Sequence, residues 1–217
     1  QAQLGERLLS AHENENPIFG TDSIPFLVNS YEDSVKLYGA ARPELDKVLD
    51  KQGIVLLYSV PWPAQGLFFN KDVDKVADMK GIRVRSYNKS TARISELTGM
   101  EPISIEAAEI SQAMSAGVIQ SLITSAVTGQ DSKVWEQLDH FYQVNAWMPR
   151  NYVIANKGTV DALPDKAKAA LKDCSAKAEA NESYRTPLDA STRAWFEHEL
   201  AAAHHASSTL RSSADLD

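Results

Sequence analysis

Apolar residues in this chain form short continuous runs that alternate with longer stretches of helical spacing. The clearest run covers residues 54–60 and follows Gly53, which favours a buried strand. Further strands are predicted at residues 67–69, 81–85, 102–105 and 118–124, and around Pro149 between residues 141 and 155. Short apolar runs spaced in this way are typical of a chain that alternates strands with helices.

Helices are predicted in the intervals between these strands. Ser30 is a candidate N-cap for a helix, and a second helical segment follows Pro43 and ends at Gly53. Other helices are predicted after Ser90 or Thr91, at residues 106–116 and 133–138, and over residues 165–199 with an interruption at Pro187. Residues 1–11 have the pattern of a helix tail. Together these elements predict an α/β fold with parallel sheets.

Composition narrows the classes of protein that fit this pattern. The chain has 217 residues, of which 43% are hydrophobic and 24% charged, as in ordinary globular proteins. Its net charge of -7 argues against a nucleic-acid partner, and no apolar run is long enough to predict a membrane span. Cys174 is the single cysteine, and we expect it to be buried on a helix. The spacing of the histidines and Cys174 predicts no metal site, and no cofactor motif is present.

Two arginines lie on the predicted strand at residues 81–85. Arg85 ends this strand and precedes a polar turn, and ligands of open α/β sheets bind beyond the carboxyl ends of strands. A guanidinium at that position can hold a carboxylate through two parallel hydrogen bonds. Arg83 shares the same face of a regular strand and competes for the role. An interdomain or surface salt bridge is the alternative role for Arg85.

Polar and aromatic residues follow two other predicted strands. Trp62 lies between two prolines that restrict its backbone, so its indole can form a wall for a planar ligand or pack in the core. Ser125 and Thr128 follow the strand at residues 118–124. Their hydroxyls can donate to a carboxylate, or they can cap a helix around Trp135.

The chain contains no recognisable catalytic or phosphate-binding motif. No nucleophile–base pair accompanies the candidate residues, which favours binding over catalysis. An enzyme acting on small organic acids in an α/β cleft is an alternative, with Glu13, Glu15 and Asp22 as candidate bases. A second alternative is a ligand-sensing domain of a signalling system.

Four segments, in order and at matching spacing over about residues 1–190, resemble the solute-binding proteins of TRAP transporters. Residues 24–27 (IPFL) resemble the family's lPFL segment, and residues 79–85 (MKGIRVR) resemble its lkGlkiR segment. Residues 109–119 resemble its E-x-x-x-A-L-x-x-G-v-v-D segment, and residues 163–167 (LPDKA) resemble its LPedvq helix start. Each match alone is weak, whereas the set is specific.

The resemblance implies a two-lobed periplasmic binding protein fold with a ligand cleft between the lobes and a long bracing helix. We expect residues 1–62 and 151–190 to form lobe I, and residues 63–150 and 191–217 to form lobe II. Family members are longer, so we expect this chain to lack their N-terminal and C-terminal parts. The implied protein is a periplasmic monomer without enzymatic activity. Its implied partners are a small carboxylate ligand and the membrane subunits of a TRAP permease.

The resemblance also implies roles for individual residues. The family's arginine at the end of the lkGlkiR strand pairs with the substrate carboxylate, which implies that role for Arg85. The family's DGqeNP segment is replaced by residues 120–125 (QSLITS), so the asparagine contact of many sialate- and dicarboxylate-binding members is not expected. The chain instead resembles a branch with W-P-x-Q-G and S-x-x-T-G segments. That branch implies a 2-oxo, 2-hydroxy, dicarboxylic or aromatic carboxylate as ligand. The other predicted ligand contacts are Trp62, Gln65, Tyr87, Asn88, Ser125, Thr128 and Phe26.

Overall fold

The fold consists of two β-sheets, and within residues 2–181 the chain crosses twice from one sheet to the other. The computed structural model describes residues 2–181 and the backbone of residues 210–212. The strands in this part of the chain are β1 (Leu4–Leu8), β2 (Ile54–Pro61), β3 (Gln65–Phe69), β4 (Arg83–Ser86), β5 (Glu101–Ser104), β6 (Ser121–Ser125), β7 (His140–Gln143), β8 (Arg150–Asn156) and β9 (Leu210–Ser212). The α-helices are α1 (Tyr31–Lys51), α2 (Lys89–Leu97), α3 (Ile110–Ser115), α4 (Ala126–Asp131), α5 (Lys157–Asp161) and α6 (Asp165–Ala180). Short 3₁₀ turns cover Leu9–His12, Pro17–Ser23, Val76–Met79, Ala107–Glu109 and Val134–Glu136.

The two sheets differ in strand direction. The first sheet has the order β1–β8–β2 and is antiparallel throughout. The second sheet has the order β5–β4–β6–β3–β7–β9, in which β4 is parallel to β5 and β6 but β3 is antiparallel to β6 and β7. The predicted mixture of strands and helices is confirmed, whereas the expectation of parallel sheets is wrong for the first sheet. The β2–β8 and β3–β7 pairs are antiparallel because the chain passes directly from the first sheet to the second and later returns beside the same path.

Both crossings run side by side between the sheets. The first crossing joins β2 to β3, and the second joins β7 to β8. The Trp62 N–H donates to the Pro149 carbonyl at 2.7 Å, and the Gln65 N–H donates to the Trp147 carbonyl at 2.9 Å. The Ala146 N–H donates back to the Gln65 carbonyl at 3.0 Å. The residues after β2 are therefore held at the junction of the two sheets.

The first sheet begins with an edge strand that the sequence pattern does not predict. Residues 1–11 were expected to end a helix, but Leu4–Leu8 form a strand paired with β8 from Leu4↔Ala155 to Leu8↔Asn151. This edge strand has almost no buried face, so it lacks the alternating pattern that identifies strands, and pairing with β8 overrides its local preference. The apolar run at residues 54–60 is confirmed as a strand, β2.

Helix α1 continues through Pro43, where two segments were expected. Its predicted N-cap is confirmed, because the Ser30 side chain accepts a hydrogen bond from the Asp33 N–H. Leu45 and Leu49 lie beyond the proline and are almost fully buried against the first sheet. Burying each of them contributes about 1.5–3 kcal/mol. This offsets the roughly 3 kcal/mol that an interior proline costs a helix.

Helix α6 packs against β2 and confirms the predicted helix start after Pro164. The Tyr38 hydroxyl of α1 and the Ser59 N–H of β2 both donate to Glu179 Oε1, at 2.6 and 3.1 Å. Cys174 is on this helix as predicted, but it is exposed rather than buried. The predicted continuation to residue 199 lies outside the described residues. Of the helices in the described part, none is long and apolar enough to cross a lipid bilayer.

Gly66 lies where β3 passes closest to β7 in the second sheet. A Cβ at this position would lie 2.6 Å from Phe141 Cε2 and 2.7 Å from the Tyr142 carbonyl oxygen. The Tyr142 carbonyl cannot move away from this position without breaking the pairing of β3 with β7. We therefore expect Gly66→Ala to lower the free energy of unfolding by about 1–3 kcal/mol in urea denaturation, as overpacking of a dense core does.

Gly5 provides the matched control for this substitution, since it also lies in a strand. Among the described residues, no atom lies within 4 Å of a Cβ built on Gly5, so Gly5→Ala is expected to leave the unfolding midpoint nearly unchanged. Equal effects of the two substitutions would contradict the steric explanation.

Candidate functional site

A cavity of about 330 Å³ opens between the two sheets, next to the crossings. The first sheet and its connections contribute Glu6, Arg7, Leu8, Ala11, Trp62, Pro149 and Asn151 to its walls. The second sheet and its connections contribute Gln65, Arg85, Tyr87, Ser104, Ile105, Glu106, Ala107, Thr124, Ser125 and Thr128. Six of the eight predicted ligand contacts therefore meet in one cavity: Trp62, Gln65, Arg85, Tyr87, Ser125 and Thr128.

Arg85 is the buried cation of this cavity. Its side chain is on β4 and the residue is only 6% exposed. Its Nε donates to the Ile105 carbonyl at 2.9 Å, and its guanidinium carbon lies 4.8 Å from the centre of the Tyr87 ring. Burial lowers the pKa of the guanidinium, which is nevertheless a permanent cation at physiological pH. In the described part of the chain, no carboxylate forms a salt bridge with Arg85.

Two other arginines near the sheets are occupied by structural hydrogen bonds. Arg83 donates through Nη2 to the Gly117 carbonyl at 2.7 Å, and it does not line the cavity. Arg150 donates to Ser59 Oγ at 2.8 Å and to Ser34 Oγ at 3.0 Å. Of the two arginines on β4, Arg85 lines the cavity and Arg83 does not, which favours Arg85 for the predicted role.

Tyr87 and Gln65 form one hydrogen-bonded chain beside Arg85. The Trp147 Nε1–H donates to the Tyr87 hydroxyl at 3.2 Å, and that hydroxyl donates to Gln65 Oε1 at 3.1 Å. Gln65 Nε2 donates in turn to the Pro63 carbonyl at 3.0 Å. Burial raises the pKa of Tyr87, so its hydroxyl stays neutral and acts as the donor. This chain fixes the Tyr87 ring against the guanidinium.

Trp62 lines the cavity from the first crossing and is half-buried. Its Nε1–H donates to Asn151 Oδ1 at 2.9 Å, and Asn151 Nδ2 donates to Glu6 Oε1 at 2.6 Å. The indole is therefore held in one orientation by β8 and, through Asn151, by β1. An aromatic ring fixed in this way forms a flat wall.

Ser125 and Thr128 lie where β6 ends. Ser125 is the N-cap of the short helix α4, and its Oγ accepts from the Thr128 N–H at 3.3 Å. The hydroxyls of the two residues lie 3.3 Å apart. Ser125 therefore caps a helix and also lines the cavity. The helix that it caps is α4, not the helix expected around Trp135.

Two predicted contacts, Asn88 and Phe26, do not line the cavity. Asn88 is the N-cap of α2, two residues before the predicted cap, and its Oδ1 accepts from the Thr91 N–H at 2.8 Å. Its amide nitrogen donates to Ser10 and Ser23, so the whole side chain is occupied. Phe26 has a φ of 60° and is 65% exposed, because the turn that carries it directs the ring to solvent.

The candidate bases of the enzyme alternative also lie outside the cavity lining. The carboxylate of Glu13 accepts from Ser90, and Glu15 pairs with His12. Asp22 is buried and accepts from the Arg150 N–H. The acidic residues that do line the cavity are Glu6 and Glu106, which sequence reasoning missed.

Sequence reasoning also missed Arg7, Thr124 and Asn151. Arg7 and Glu6 lie in the segment that was expected to be helical, so their approach to the cavity depends on the strand pairing of β1. Asn151 lies in β8, and no local motif distinguishes it. Thr124 directly precedes Ser125 at the carboxyl end of β6, so the strand-end argument used for Ser125 could have included it.

The model of the family described as bacterial extracellular solute-binding protein, family 7, matches residues 5–203. The chain belongs to this family. It is therefore an extracytoplasmic solute-binding protein of the TRAP transport class, as the sequence resemblance implied. No curated protein matches the chain closely enough to add to this comparison.

Solved structures of related receptors agree with this assignment. The chain is 42% identical to DctP6, a Bordetella pertussis extracytoplasmic solute receptor binding pyroglutamic acid, with a TM-score of 0.88, and covers 100% of its own length and 70% of that chain. It is 43% identical to a marine metagenome TRAP solute-binding protein specific for pyroglutamate, with a TM-score of 0.87 and coverage of 98% and 67%.

A more distant structure extends the similarity of fold. The chain is 14% identical to a TRAP periplasmic solute-binding protein from Xanthobacter autotrophicus that was solved with bound β-D-galacturonate. The TM-score is 0.82, and the match covers 97% of this chain and 69% of that chain. These similarities confirm the predicted two-lobed fold of this solute-binding protein, with the cavity lying between its two sheets.

Proposed function

We propose that this solute-binding protein captures a small cyclic carboxylate of the pyroglutamate type and delivers it to a TRAP permease. The proposal narrows the broad range of organic acids expected from the sequence. It rests on the chemistry of the cavity and on relatives at 42% and 43% identity that bind pyroglutamate.

The observation that carries the proposal is the buried guanidinium of Arg85. A buried charge is costly unless it is paired, and among the described residues the hydrogen bond of the Arg85 side chain is the one from its Nε to the Ile105 carbonyl. Its two remaining nitrogens have the fork geometry that binds a carboxylate through two parallel hydrogen bonds. A carboxylate ligand would supply the missing partner of this cation.

The rest of the cavity suits a flat lactam ring. Pyroglutamate carries one ring N–H donor and one ring carbonyl acceptor besides its carboxylate. Trp62 offers a flat wall for the ring, and the Glu6 carboxylate at the same wall can accept the ring N–H. The hydroxyls of Ser125 and Thr128 and the second Nε2 proton of Gln65 can donate to the ring carbonyl or to the carboxylate.

We also propose how the chain is divided into lobes. Lobe I would consist of residues 1–62 and 151–190, and lobe II of residues 63–150 and 191–217. The strand pairing supports this division: β1, β2 and β8 form one sheet, whereas the strands between residues 65 and 143 form the other. The backbone of β9 pairs with β7, which supports assigning residues 210–212 to lobe II.

The finer parts of the proposal are a periplasmic location, a monomeric state and a role in capture rather than catalysis. The extracellular family supports the location. The positions of Glu13, Glu15 and Asp22 outside the cavity lining support capture, since a general base must reach the bound acid.

Isothermal titration calorimetry with L-pyroglutamate tests the proposed ligand. We expect one binding site, and we expect 2-pyrrolidinone, which has the lactam ring without the carboxylate, to bind far more weakly because it leaves Arg85 unpaired. L-Proline, which keeps the ring and carboxylate but has no ring carbonyl, should fall between them. Equal binding of 2-pyrrolidinone and L-pyroglutamate would contradict the role of the carboxylate. Tighter binding of L-malate or D-glucuronate than of L-pyroglutamate would contradict the proposal that the ligand is a lactam.

A further inference from the structure

Hydrogen bonds join the two lobes at a place outside the cavity. On lobe I they involve the segment at residues 9–23, which contains two 3₁₀ turns. Leu9 and Phe19 of this segment are buried in the same core as Leu45 and Tyr152, so the segment is firmly attached to lobe I. On lobe II the hydrogen bonds involve the beginning of α2.

Glu13 makes the first of these connections. Its Oε1 accepts from the Ser90 N–H at 3.0 Å, and its Oε2 accepts from the Ser90 hydroxyl at 3.4 Å. Ser90 lies in the first turn of α2, where backbone N–H groups lack helical partners and a carboxylate is favoured. A side chain at Gly20 would collide with Glu13 Oε2, so the packing behind Glu13 holds its carboxylate against α2.

Asn88 makes the second connection. Its amide nitrogen donates to Ser10 Oγ at 3.0 Å and to Ser23 Oγ at 3.3 Å. Ser10, Ser23 and Asn88 are all buried, and an unpaired buried amide is costly, so separating these groups carries a penalty. The same side chain caps α2 through its oxygen, which fixes the direction in which the amide nitrogen points.

We propose that these contacts form an interlobe latch that sets the affinity of the cavity without touching the ligand. The latch consists of Ser10, Glu13 and Ser23 on lobe I and of Asn88 and Ser90 on lobe II. Glu13 and Asn88 do not line the cavity, but Asn88 follows β4, the strand that carries Arg85, by only two residues. Holding the start of α2 against lobe I therefore positions the end of the strand that supplies the carboxylate site.

The expected consequence concerns the lifetime of the complex. A ligand that contacts both lobes leaves when the lobes separate, so contacts that resist separation slow dissociation. Since the latch does not contact the ligand, we expect its loss to act mainly through the dissociation rate. Glu13 and Asn88 are thus positioning residues for the binding site.

The test compares Glu13→Ala and Asn88→Ser with the matched control Glu15→Ala. Serine retains the N-cap of α2 but is too short to reach Ser10 and Ser23, so Asn88→Ser removes the latch contact while α2 stays capped. Glu15 lies in the same segment, is exposed and pairs only with His12 in the described part of the chain. With L-pyroglutamate as probe, we expect each latch variant to raise the dissociation rate by roughly tenfold, and the control to change it little.

A second measurement is independent of the ligand. Spin labels on the exposed Cys174 of lobe I and on Gln112→Cys of lobe II, also exposed, report the distance between the lobes. Without ligand, we expect Glu13→Ala and Asn88→Ser to shift the distances to longer values than in the labelled parent. Unchanged distances between the two spin labels would contradict the proposal that these contacts hold the lobes together.

The expected effect of the latch on ligand dissociation rests on the proposed function. The two measurements distinguish a failure of the latch from a failure of the proposed ligand. If the parent protein binds no L-pyroglutamate, the proposed ligand is wrong. The distances between the spin labels still show whether the latch holds the lobes together. If the parent binds and the latch variants bind with the same dissociation rate, the latch fails while the proposed function stands.

Discussion

Replacing Arg85 by alanine is expected to weaken the binding of L-pyroglutamate by about 2–5 kcal/mol, the usual cost of truncating one partner of a buried charge pair. Every 1.4 kcal/mol corresponds to a factor of about ten in the dissociation constant. The effect is large because the ligand carboxylate would enter a cavity whose buried cation has been removed. Calorimetric titration of the variant measures the loss directly.

Arg85→Lys and Arg83→Ala are the informative controls. Lysine keeps the positive charge but lacks the planar fork, so Arg85→Lys should recover only part of the affinity. Arg83 lies on the same strand and donates to Gly117 outside the cavity, so Arg83→Ala should leave ligand affinity almost unaltered. Equal losses of affinity from Arg83→Ala and Arg85→Ala would show that the strand, not the guanidinium, is responsible.

The stability of this protein is expected to depend on the ionisation of Asp22. This carboxyl is almost fully buried, and desolvation raises its pKa to about 6 from the model-compound value of 3.8. Hydrogen bonds from the Arg150 N–H and the Tyr152 and Ser23 hydroxyls oppose the rise without cancelling it. The folded protein therefore binds the Asp22 proton more tightly than the unfolded chain does.

The direction of the pH dependence follows from this raised pKa. The stabilising contribution of Asp22 is fully present below the unfolded pKa of 3.8 and is lost as the pH rises through about 6. Asp22→Asn keeps the shape of the group and cannot ionise. From below pH 4 to pH 7 its free energy of unfolding should therefore rise relative to the parent by about 3 kcal/mol in total, which is about 1.4 kcal/mol for each unit of the pKa shift from 3.8 to about 6.

Urea denaturation at several pH values measures this difference. Asp33→Asn is the matched control, because the hydrogen bonds from Lys36 and Ser30 lower the pKa of the half-exposed Asp33. A carboxyl with a lowered pKa stabilises the folded state above its unfolded pKa, so Asp33→Asn should give the opposite sign. Parallel pH profiles for the parent and Asp22→Asn would contradict a raised pKa at Asp22.

Much of the fold could be predicted because its local signals agree with the tertiary structure. The apolar run before Trp62, the capping serine before α1 and the proline before α6 each act within a few residues. The prediction at β1 was wrong because an exposed edge strand carries no such signal. The break expected at Pro43 does not occur, because buried leucines farther along α1 outweigh the cost of the proline.

The sequence by itself determined which residues could serve a carboxylate: an arginine at a strand end, a restrained tryptophan, and hydroxyls after a third strand. Only the tertiary structure decided which of them meet. It placed Arg85 at the cavity, engaged Arg83 in a hydrogen bond to Gly117, and engaged Asn88 in a hydrogen bond to Ser10. It also brought Glu6, Arg7 and Asn151 to the cavity from strands far apart in the chain. Strand pairing and contacts between the two sheets bring together residues that are distant in sequence. The local spacing of residues therefore does not predict these contacts.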